Sequence, residues 1–301
     1  MSERFDVVVV GAGFAGLYLI HELRRRDMSV LVLEKGDSVG GTWYWNRYPG
    51  ARCDAESLAY SYSFSSELEQ SWEWSERYAT QPEILRYAQH VAREFDLLPH
   101  IRFEQEVVSA QWQTAEQNWC VRTQQGLVVT AQFCIMATGC LSVPQLPSIE
   151  GLEQFAGERY QASLWPHEGV DFSGKTVGLI GTGSSGIQAV PVIAEQAKAL
   201  TVFQRSPNFS VPAANDQLDA EWVQAFKQNY RGHRKLHKLG LSSGFGDLEI
   251  VPTERTPAAE TAAGLSDAEV SAILDRYWQR GGAFFLSAFA DSLSNPETNK
   301  H

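Results

Sequence analysis

The chain has 301 residues, of which 44% are hydrophobic and 20% are charged, as in ordinary globular proteins. Its net charge of -11 argues against a nucleic-acid or anionic-membrane partner that is attracted by simple electrostatics. The four cysteines form no CxxC pair and have no metal-ligand spacing, which predicts reduced thiols in a cytoplasmic protein without a metal site. The most apolar run, residues 7–20, is interrupted by three glycines and is too short to span a bilayer, so we expect no membrane segment.

The first pattern along the chain is that of a nucleotide-binding unit. Phe5–Val10 is rich in β-branched residues and precedes Gly11-Ala12-Gly13-Phe14-Ala15-Gly16, which predicts a strand, a glycine turn and a helix. The first glycine of such a turn allows the tight bend, the second lets a pyrophosphate approach the backbone, and the third lets helix and strand pack closely. A second strand, Ser29–Leu33, ends in Glu34, where an acidic side chain accepts hydrogen bonds from an adenosine ribose. This acidic end favours FAD or NAD over a 2'-phosphorylated nucleotide.

The stretch Gly40–Asp54, GGTWYWNRYPGARCD, is unusually rich in aromatic rings and arginines. Aromatic planes, guanidinium groups and a carboxylate on irregular backbone are suited to hold a flat redox ring and to place charge beside it. The alternative is an ordinary surface loop with a turn at Pro49-Gly50.

Three elements are predicted between this stretch and the middle of the chain. Thr80-Gln81-Pro82-Glu83 is typical of a capped helix start, and apolar residues follow at helical spacing as far as Phe95. Residues 101–131 alternate as strands do and predict a small antiparallel meander. Residues 133–139 predict a buried strand that ends in Ala137-Thr138-Gly139, where the backbone is expected to run close to a cofactor.

A second nucleotide pattern begins at Lys175. The strand Thr176–Ile180 is followed by Gly181-Thr182-Gly183-Ser184-Ser185-Gly186 and a predicted helix. The next strand, Leu200–Gln204, ends in Arg205 and Ser206 instead of an acid. A guanidinium and a hydroxyl at this position can bind a 2'-phosphate, so NADP is the expected second ligand.

The last part of the chain is predicted to be helical. Glu221–Leu239 should form a helix whose basic cluster, residues 231–238, is a solvated face, and Ser266-Asp267-Ala268-Glu269 is typical of another helix start. Ser294-Asn295-Pro296-Glu297 has the same signature, yet only four residues follow it. Neither nucleotide unit supplies the about five or six parallel strands of a doubly wound domain. These patterns predict a C-terminally truncated chain.

The sequence thus predicts an α/β fold with two Rossmann-like dinucleotide-binding domains, for FAD and NADP, and a helical insertion, with the C-terminal part missing. The expected segments are an incomplete FAD-binding domain at 1–143, a linker at 144–174, an incomplete NADP-binding domain at 175–212 and an incomplete helical subdomain at 213–301.

The motifs resemble those of the flavin-dependent Baeyer-Villiger monooxygenases, within the wider flavin-containing monooxygenase group. The stretch 40–54 is similar to the family's long fingerprint, GGxWxxxxYPGxxxD, at full spacing. Phe155-Ala156-Gly157 with Trp165-Pro166 is similar to the second fingerprint, FxGxxxHxxxWP, which lies between the two glycine loops. Gln161 stands in the place of its histidine, and glutamine can keep a hydrogen bond but cannot become cationic near neutral pH. Because the resemblance implies that this segment couples the two nucleotide domains, the departure bears on NADPH-linked domain motion.

The resemblance implies that NADPH reduces FAD and that a flavin peroxide then inserts one oxygen atom of O2 next to a ketone carbonyl, giving an ester or lactone. Asp54 matches a catalytic aspartate that hydrogen-bonds an active-site arginine, and that arginine is expected beyond residue 301. The predicted FAD-binding residues are Gly11, Gly13, Phe14, Ala15, Gly16, Glu34, Lys35, Gly41, Thr42, Trp43, Tyr48, Asp54, Val107, Ala137, Thr138 and Gly139. The predicted NADP-binding residues are Gly181, Thr182, Gly183, Ser184, Ser185, Gly186, Gln188, Arg205 and Ser206.

Two other functions remain open at this point. The first is a flavin monooxygenase that oxygenates nitrogen or sulfur, and the second is an inactive flavin-binding fragment. A disulfide reductase is disfavoured because no closely spaced cysteine pair follows the first glycine turn. The residues do not identify the ketone or the oligomeric state.

Overall fold

The computed structural model describes residues 3–141, 143–239, 261–282, 288–289 and 291. The described residues fall into two compact units. The first unit comprises 1–51, 81–180 and 184–202, and the second comprises 52–80, 181–183 and 203–301. Residues 52–80 group with residues 203–301, and the four functional segments expected from the sequence stay predictions. The signature at 294–297 lies outside the described residues.

The described residues contain both strands and helices. The strands are β1 (Glu3–Val10), β2 (Val30–Leu33), β3 (Ile101–Arg102), β4 (Val107–Gln113), β5 (Asn118–Thr123), β6 (Val128–Met136), β7 (Thr176–Ile180) and β8 (Ala199–Phe203). The helices are α1 (Phe14–Arg24), α2 (Thr42–Trp45), α3 (Ser66–Ser71), α4 (Gln81–Glu94), α5 (Ser184–Gln196), α6 (Ala220–Gln228), α7 (Tyr230–Leu239) and α8 (Asp267–Arg280). No helix in the described ranges is long and apolar enough to cross a membrane.

A six-stranded sheet with the order β3-β2-β1-β6-β5-β4 organises the first unit. β1 is parallel to both β2 and β6, and its last residue, Val10, is in register with Leu33 of β2 and Met136 of β6. Three parallel strands therefore end in line at one edge of the sheet. Ligands of open α/β sheets bind at such carboxyl ends.

Helices α1 and α4 supply much of the core of the first unit. Leu17 and Ile20 of α1 are fully buried. The predicted helix after Thr80 is confirmed, since α4 begins at Gln81 and buries the apolar residues that recur at helical spacing, Ile84, Tyr87, Ala88 and Val91.

The predicted meander is present, but its limits differ from the expectation. β4, β5 and the first part of β6 pair in antiparallel fashion over residues 107–131, whereas Ile101 and Arg102 pair in parallel with β2. The expected separate strand at 133–139 is the second half of β6, which continues past β5 and pairs with β1. One strand thus serves both the meander and the parallel sheet.

The expectation that residues 133–139 form a buried strand is wrong. Phe133 and Met136 are 48% and 59% exposed. The physical reason is that side-chain burial depends on what covers the face of a strand. Phe133 and Met136 pair with β1 through their backbone, yet their side chains stay exposed. An apolar run predicts a buried strand whether or not a neighbouring layer of the structure covers it.

The second nucleotide pattern folds as a strand, helix and strand. β7 and β8 form a two-stranded sheet, and their beginnings and ends are joined in the same order, by Lys198 N–H to Lys175 C=O and Gly181 N–H to Phe203 C=O. This order makes the pair parallel, as expected for a nucleotide-binding unit. α5 contains Pro191 in its interior.

The helical part of the second unit corrects two expectations. The helix predicted over 221–239 is two helices, because Asn229 leaves the helical conformation with φ -130° and ψ 38°. Its basic cluster is not wholly a solvated face, because Arg234 is largely buried. Arg234 donates to Glu69 at 2.7 Å and to the carbonyl of Tyr62 at 3.1 Å, which fixes the segment around α3. The predicted capping box at Ser266 and Glu269 is confirmed, since both of its hydrogen bonds are present at the start of α8.

A buried ion pair in the second unit gives a test of the fold. Arg77 donates to Glu56 at 2.7 Å, and the two side chains are 14% and 2% exposed. Removal of one partner leaves the other charge uncompensated in the interior, so Arg77→Met should lower the free energy of unfolding by about 3–5 kcal/mol. The matched control is Arg25→Met, because Arg25 pairs with Glu22 at 3.0 Å but is 66% exposed. The control should change stability by about 0.5 kcal/mol or less. Urea unfolding followed by tryptophan fluorescence measures both, and equal losses would contradict the assignment of Arg77 to the core.

Candidate functional site

The glycine turn after β1 is packed so closely that side chains cannot replace its hydrogens. Gly11 has φ +105°, and a Cβ there would lie 2.7 Å from the carbonyl oxygen of Ala137. A Cβ at Gly16 would lie 2.0 Å from the carbonyl oxygen of Gly11. Gly13 caps α1 without a side-chain hydrogen bond, which leaves the first N–H groups of the helix to an anion or solvent. This geometry fits a bound pyrophosphate.

The aromatic stretch begins directly against this turn. Gly40 donates its N–H to the carbonyl of Ala12 at 3.1 Å. Gly41 has φ +55°, and a Cβ there would lie 2.8 Å from the Cα of Gly13. The backbone at the start of the first fingerprint is therefore packed directly against the glycine turn.

Glu34 is buried at the end of β2 and is held in a fixed orientation. One carboxylate oxygen accepts from Ala12 N–H at 2.7 Å, and the other accepts from Gly36 N–H at 2.8 Å. A carboxylate has about four acceptor positions, so further ones remain for ribose hydroxyls. The neighbouring Lys35 is exposed and pairs with Glu106 at 3.0 Å.

Tyr44 anchors the aromatic helix α2. A Cβ at Gly36 would lie 2.6 Å from the Tyr44 ring, so the ring lies flush against a glycine. The Tyr44 hydroxyl donates to Asp37 at 2.8 Å, and the guanidinium of Arg47 lies 5.0 Å from the ring centre. Burial raises the pKa of the Tyr44 phenol, and the hydrogen bond to Asp37 raises it further.

Two residues in this region were not predicted from the sequence. The Gln81 amide, at the start of α4, donates to the carbonyl of Trp43. Gly36 provides both the N–H that fixes Glu34 and the space for Tyr44. The helix-start pattern includes Gln81 but does not mark it as a residue that contacts Trp43, whereas a glycine two residues after the acidic strand end could have indicated Gly36.

The end of β6 completes this edge of the sheet. Ala137 donates its N–H to Val10 at 2.9 Å, which places its carbonyl beside Gly11. Thr138 and Gly139 follow as exposed residues. Val107 packs its side chain into the apolar cluster around Val8, so any contribution of Val107 to a ligand has to come from its backbone.

Asp54 belongs to the second unit and is exposed. Hydrogen bonds hold the backbone on either side of Asp54 against residues 76–80. Cys53 N–H donates to Ala79 at 3.0 Å, and the Ser57 hydroxyl donates to Glu76 C=O at 2.7 Å and accepts from Ala79 N–H at 2.9 Å. Arg52 pairs with Glu76 at 3.1 Å. Ser57, which the sequence did not indicate, thus helps to fix the loop that presents Asp54.

Cys53 is a buried, unreactive thiol. Burial raises its pKa to about 11, so the nucleophilic thiolate is scarce near neutral pH. All four cysteines are free thiols.

The second glycine loop is open where the first is crowded. Gly181 has φ +104°, and a Cβ at either Gly181 or Gly183 would meet no atom within 4 Å. Asn208 donates its side-chain amide to Thr182 C=O at 2.8 Å, which brings the 203–208 segment beside this loop. Arg205 and Ser206 lie exposed on that segment. The loop therefore has room for a pyrophosphate next to a guanidinium and a hydroxyl.

The helix after this loop contacts the first fingerprint. Ser184, Ser185 and Gly186 form the first turn of α5. Gln188, predicted to bind a cofactor, accepts a hydrogen bond at 2.8 Å from the hydroxyl of Tyr48. Tyr48 thus points at this helix.

The second fingerprint and the first pack against the same apolar cluster. Trp165 and Tyr48 pack against one apolar cluster around Phe172, and the ring of His167, although exposed, lies edge-on to Tyr44 with ring centres 5.5 Å apart. Gln161 donates to the carbonyl of Gln145 at 2.7 Å, so the glutamine does keep a hydrogen bond.

The Glu34 geometry gives a prediction for nucleotide binding. Glu34→Gln should weaken FAD binding by about ten- to a hundredfold, because the amide loses the charge and turns N–H groups toward backbone N–H donors. Glu116→Gln is the control, since Glu116 is an exposed carboxylate between β4 and β5. Titration of FAD fluorescence measures both. Unchanged affinity in both variants would contradict a ribose-binding role for Glu34.

Known proteins are similar to this chain over nearly its whole length. A family model described as pyridine nucleotide-disulphide oxidoreductase matches residues 8–237. Cyclohexanone 1,2-monooxygenase of an Acinetobacter species is 41% identical, and 2-oxo-Delta(3)-4,5,5-trimethylcyclopentenylacetyl-CoA monooxygenase of Pseudomonas putida is 40% identical. Each match covers 99% of this chain and 54% of the relative. The chain thus spans about half the length of these relatives.

A third relative and two solved structures complete the comparison. The phenazine N-monooxygenase PhzNO1 of Lysobacter antibioticus is 35% identical over 99% of this chain and 54% of its own length. An oxidized steroid monooxygenase bound to NADP is 50% identical with a TM-score of 0.87, over 98% of this chain and 55% of that one. OTEMO in complex with FAD and NADP is 39% identical with a TM-score of 0.88, over 100% of this chain and 56% of that one.

The relatives of this chain are named as monooxygenases. The chain itself has the two glycine loops, the acidic end of β2 and the YPG-containing stretch. The chain belongs to the pyridine nucleotide-disulphide oxidoreductase family and, within it, is a homologue of the Baeyer-Villiger monooxygenases.

Proposed function

We propose that this chain binds FAD and NADPH for a Baeyer-Villiger oxidation, in which one oxygen atom of O2 is inserted next to a ketone carbonyl to give an ester or lactone. The observation that carries the proposal is the direct backbone contact between the glycine turn and the YPG-containing stretch, beside the fixed carboxylate of Glu34. The relatives named for ketones and the similar structures bound to NADP, or to FAD and NADP, support the same reading.

The first unit supplies the residues for FAD. The pyrophosphate would lie against the Gly11–Gly16 turn at the start of α1, and the ribose hydroxyls would donate to Glu34. The aromatic helix α2, held by Tyr44 and Gln81, would flank the cofactor. When bound, the flavin supplies electron transfer and oxygen activation, and the protein supplies binding, orientation and charge.

NADP would use the second glycine loop. Gly183 leaves space for close approach of the pyrophosphate, and Arg205 with Ser206 would bind the 2'-phosphate. Asp54, on its pinned loop, would hold a cationic side chain near the reacting carbonyl, where such a charge stabilises a developing oxyanion. The free thiols support a reducing compartment such as the cytoplasm.

A second function has a specific observation in its favour. A relative that is named for N-oxygenation matches the chain at 35% identity, so oxygenation of nitrogen or sulfur is the runner-up. The two reactions differ in their products, which makes a product assay decisive.

Arg205 gives a prediction for cofactor preference. Arg205→Ala should weaken NADPH binding by about ten- to a hundredfold and leave NADH binding unchanged, because a charge-assisted hydrogen bond to a phosphate is worth about 1.5–3 kcal/mol. Arg276→Ala, at an exposed arginine on α8, is the control. Calorimetric titration with both nucleotides measures the effect. If Arg205→Ala binds both nucleotides as the wild-type chain does, the 2'-phosphate assignment is wrong.

Turnover tests the reaction itself. The purified chain should show a flavin absorption spectrum, and NADPH consumption should rise when cyclohexanone is added, with caprolactone detected by gas chromatography. Methyl phenyl sulfide serves as the competing substrate. Sulfoxide without lactone would favour the runner-up, and bound FAD and NADPH without either product would show that this chain alone is a nucleotide-binding fragment.

A further inference from the structure

A direct contact joins the YPG part of the first fingerprint to the helix that follows the second glycine loop. The Tyr48 hydroxyl donates to the side-chain carbonyl of Gln188 at 2.8 Å. Gly50 has φ +77°, and a Cβ there would lie 2.1 Å from the backbone oxygen of Gln188 and 3.2 Å from Val192. All of these residues belong to the first unit.

The Tyr48 ring is fixed by packing as well as by its hydroxyl. It packs against the apolar cluster of Phe172, Ala189 and Ile193, two of which are residues of α5. Trp165 of the second fingerprint packs against the same cluster. A rotation or shift of α5 would therefore have to move Tyr48, or break its hydrogen bond and its packing.

The other end of the same stretch is fixed to the first glycine turn. Gly40 is hydrogen-bonded to Ala12, Gly41 touches Gly13, and Trp43 accepts from Gln81. Only a few residues separate Trp43 from Tyr48. Residues 40–50 thus form a short strap with one end on the first glycine turn and the other on α5, which begins at the residue after Gly183.

We propose that Tyr48 and Gln188 are a positioning pair through which binding of FAD favours binding of NADP. Bound FAD restricts the motion of the strap at Gly40–Gly41. The Tyr48–Gln188 hydrogen bond extends this restriction to α5. Binding energies that are coupled in this way are reciprocal, so NADP favours FAD by the same factor. The inference rests on the proposed function, since it requires both nucleotides to bind.

The size of the effect follows from the chemistry of the pair. A neutral hydrogen bond contributes about 0.5–1.5 kcal/mol, which corresponds to about a two- to tenfold change in an equilibrium constant. FAD should therefore tighten NADP+ binding to the wild-type chain by at least that factor, and Tyr48→Phe should reduce the tightening by about the same amount.

The experiment measures NADP+ affinity of the 301-residue chain with and without saturating FAD, by calorimetry. Tyr48→Phe removes the donor and leaves the Gln188 amide intact, and Gln188→Leu removes the acceptor. Gln188→Glu restores an acceptor. The quantity compared is the NADP+ affinity with FAD divided by the NADP+ affinity without FAD. We expect this ratio to fall by about two- to tenfold in Tyr48→Phe and in Gln188→Leu, and to fall no further in the double variant. In Gln188→Glu the ratio should recover. Tyr18→Phe, at a tyrosine that is 41% exposed on α1, is the control and should keep the wild-type ratio.

The outcomes separate the two proposals. A purely structural role for Tyr48 would weaken both affinities equally and leave the ratio unchanged, which would overturn the inference while leaving the proposed function in place. If FAD does not change the NADP+ affinity of the wild-type chain, the inference is likewise overturned and the proposed function stays in place. Failure of the wild-type chain to bind either nucleotide would overturn the proposed function and the inference with it.

Discussion

The structure depends on the close approach of backbone to backbone at the carboxyl ends of β1 and β6. Gly11 and Gly16 leave no room for a Cβ, and the nearest obstacles are carbonyl oxygens of the backbone, which cannot move aside as a flexible side chain can. Gly41 is placed against Gly13 by the same constraint. Because these glycines fit only when strand, helix and loop are all in place, the site and the fold form together.

The same constraint orders the aromatic stretch that we propose as part of the cofactor site. A loop rich in tryptophan and tyrosine would ordinarily collapse into the nearest apolar surface. Here its first residues are tied to the glycine turn, Tyr44 is tied to Asp37, and Tyr48 is tied to Gln188. The Tyr44 and Tyr48 rings are therefore held at defined positions, as the binding of an oriented cofactor would require.

The sequence predicted the parts of the site that local geometry determines. The position of Glu34 beside the turn could be predicted, because the length of a strand, turn, helix and second strand brings the acidic end back to the turn. The Tyr48–Gln188 contact could not be predicted, since it joins residues 140 positions apart and depends on how α5 packs. Gln81 and Ser57 act on backbone carbonyls and N–H groups, and such contacts leave no pattern in a sequence. The exposure of Phe133 and Met136 could not be predicted, because an apolar run does not show which of its side chains a neighbouring layer covers.

We propose that the glycine turn and the 40–50 stretch form a single surface for FAD. Hydrogen–deuterium exchange with and without FAD is the sharpest test of this surface. The amides of residues 11–16 and 36–44 should exchange more slowly when FAD is added, whereas those of α6 should not change. Slower exchange at the glycine turn without any effect at residues 40–44, or slower exchange only outside both segments, would contradict it.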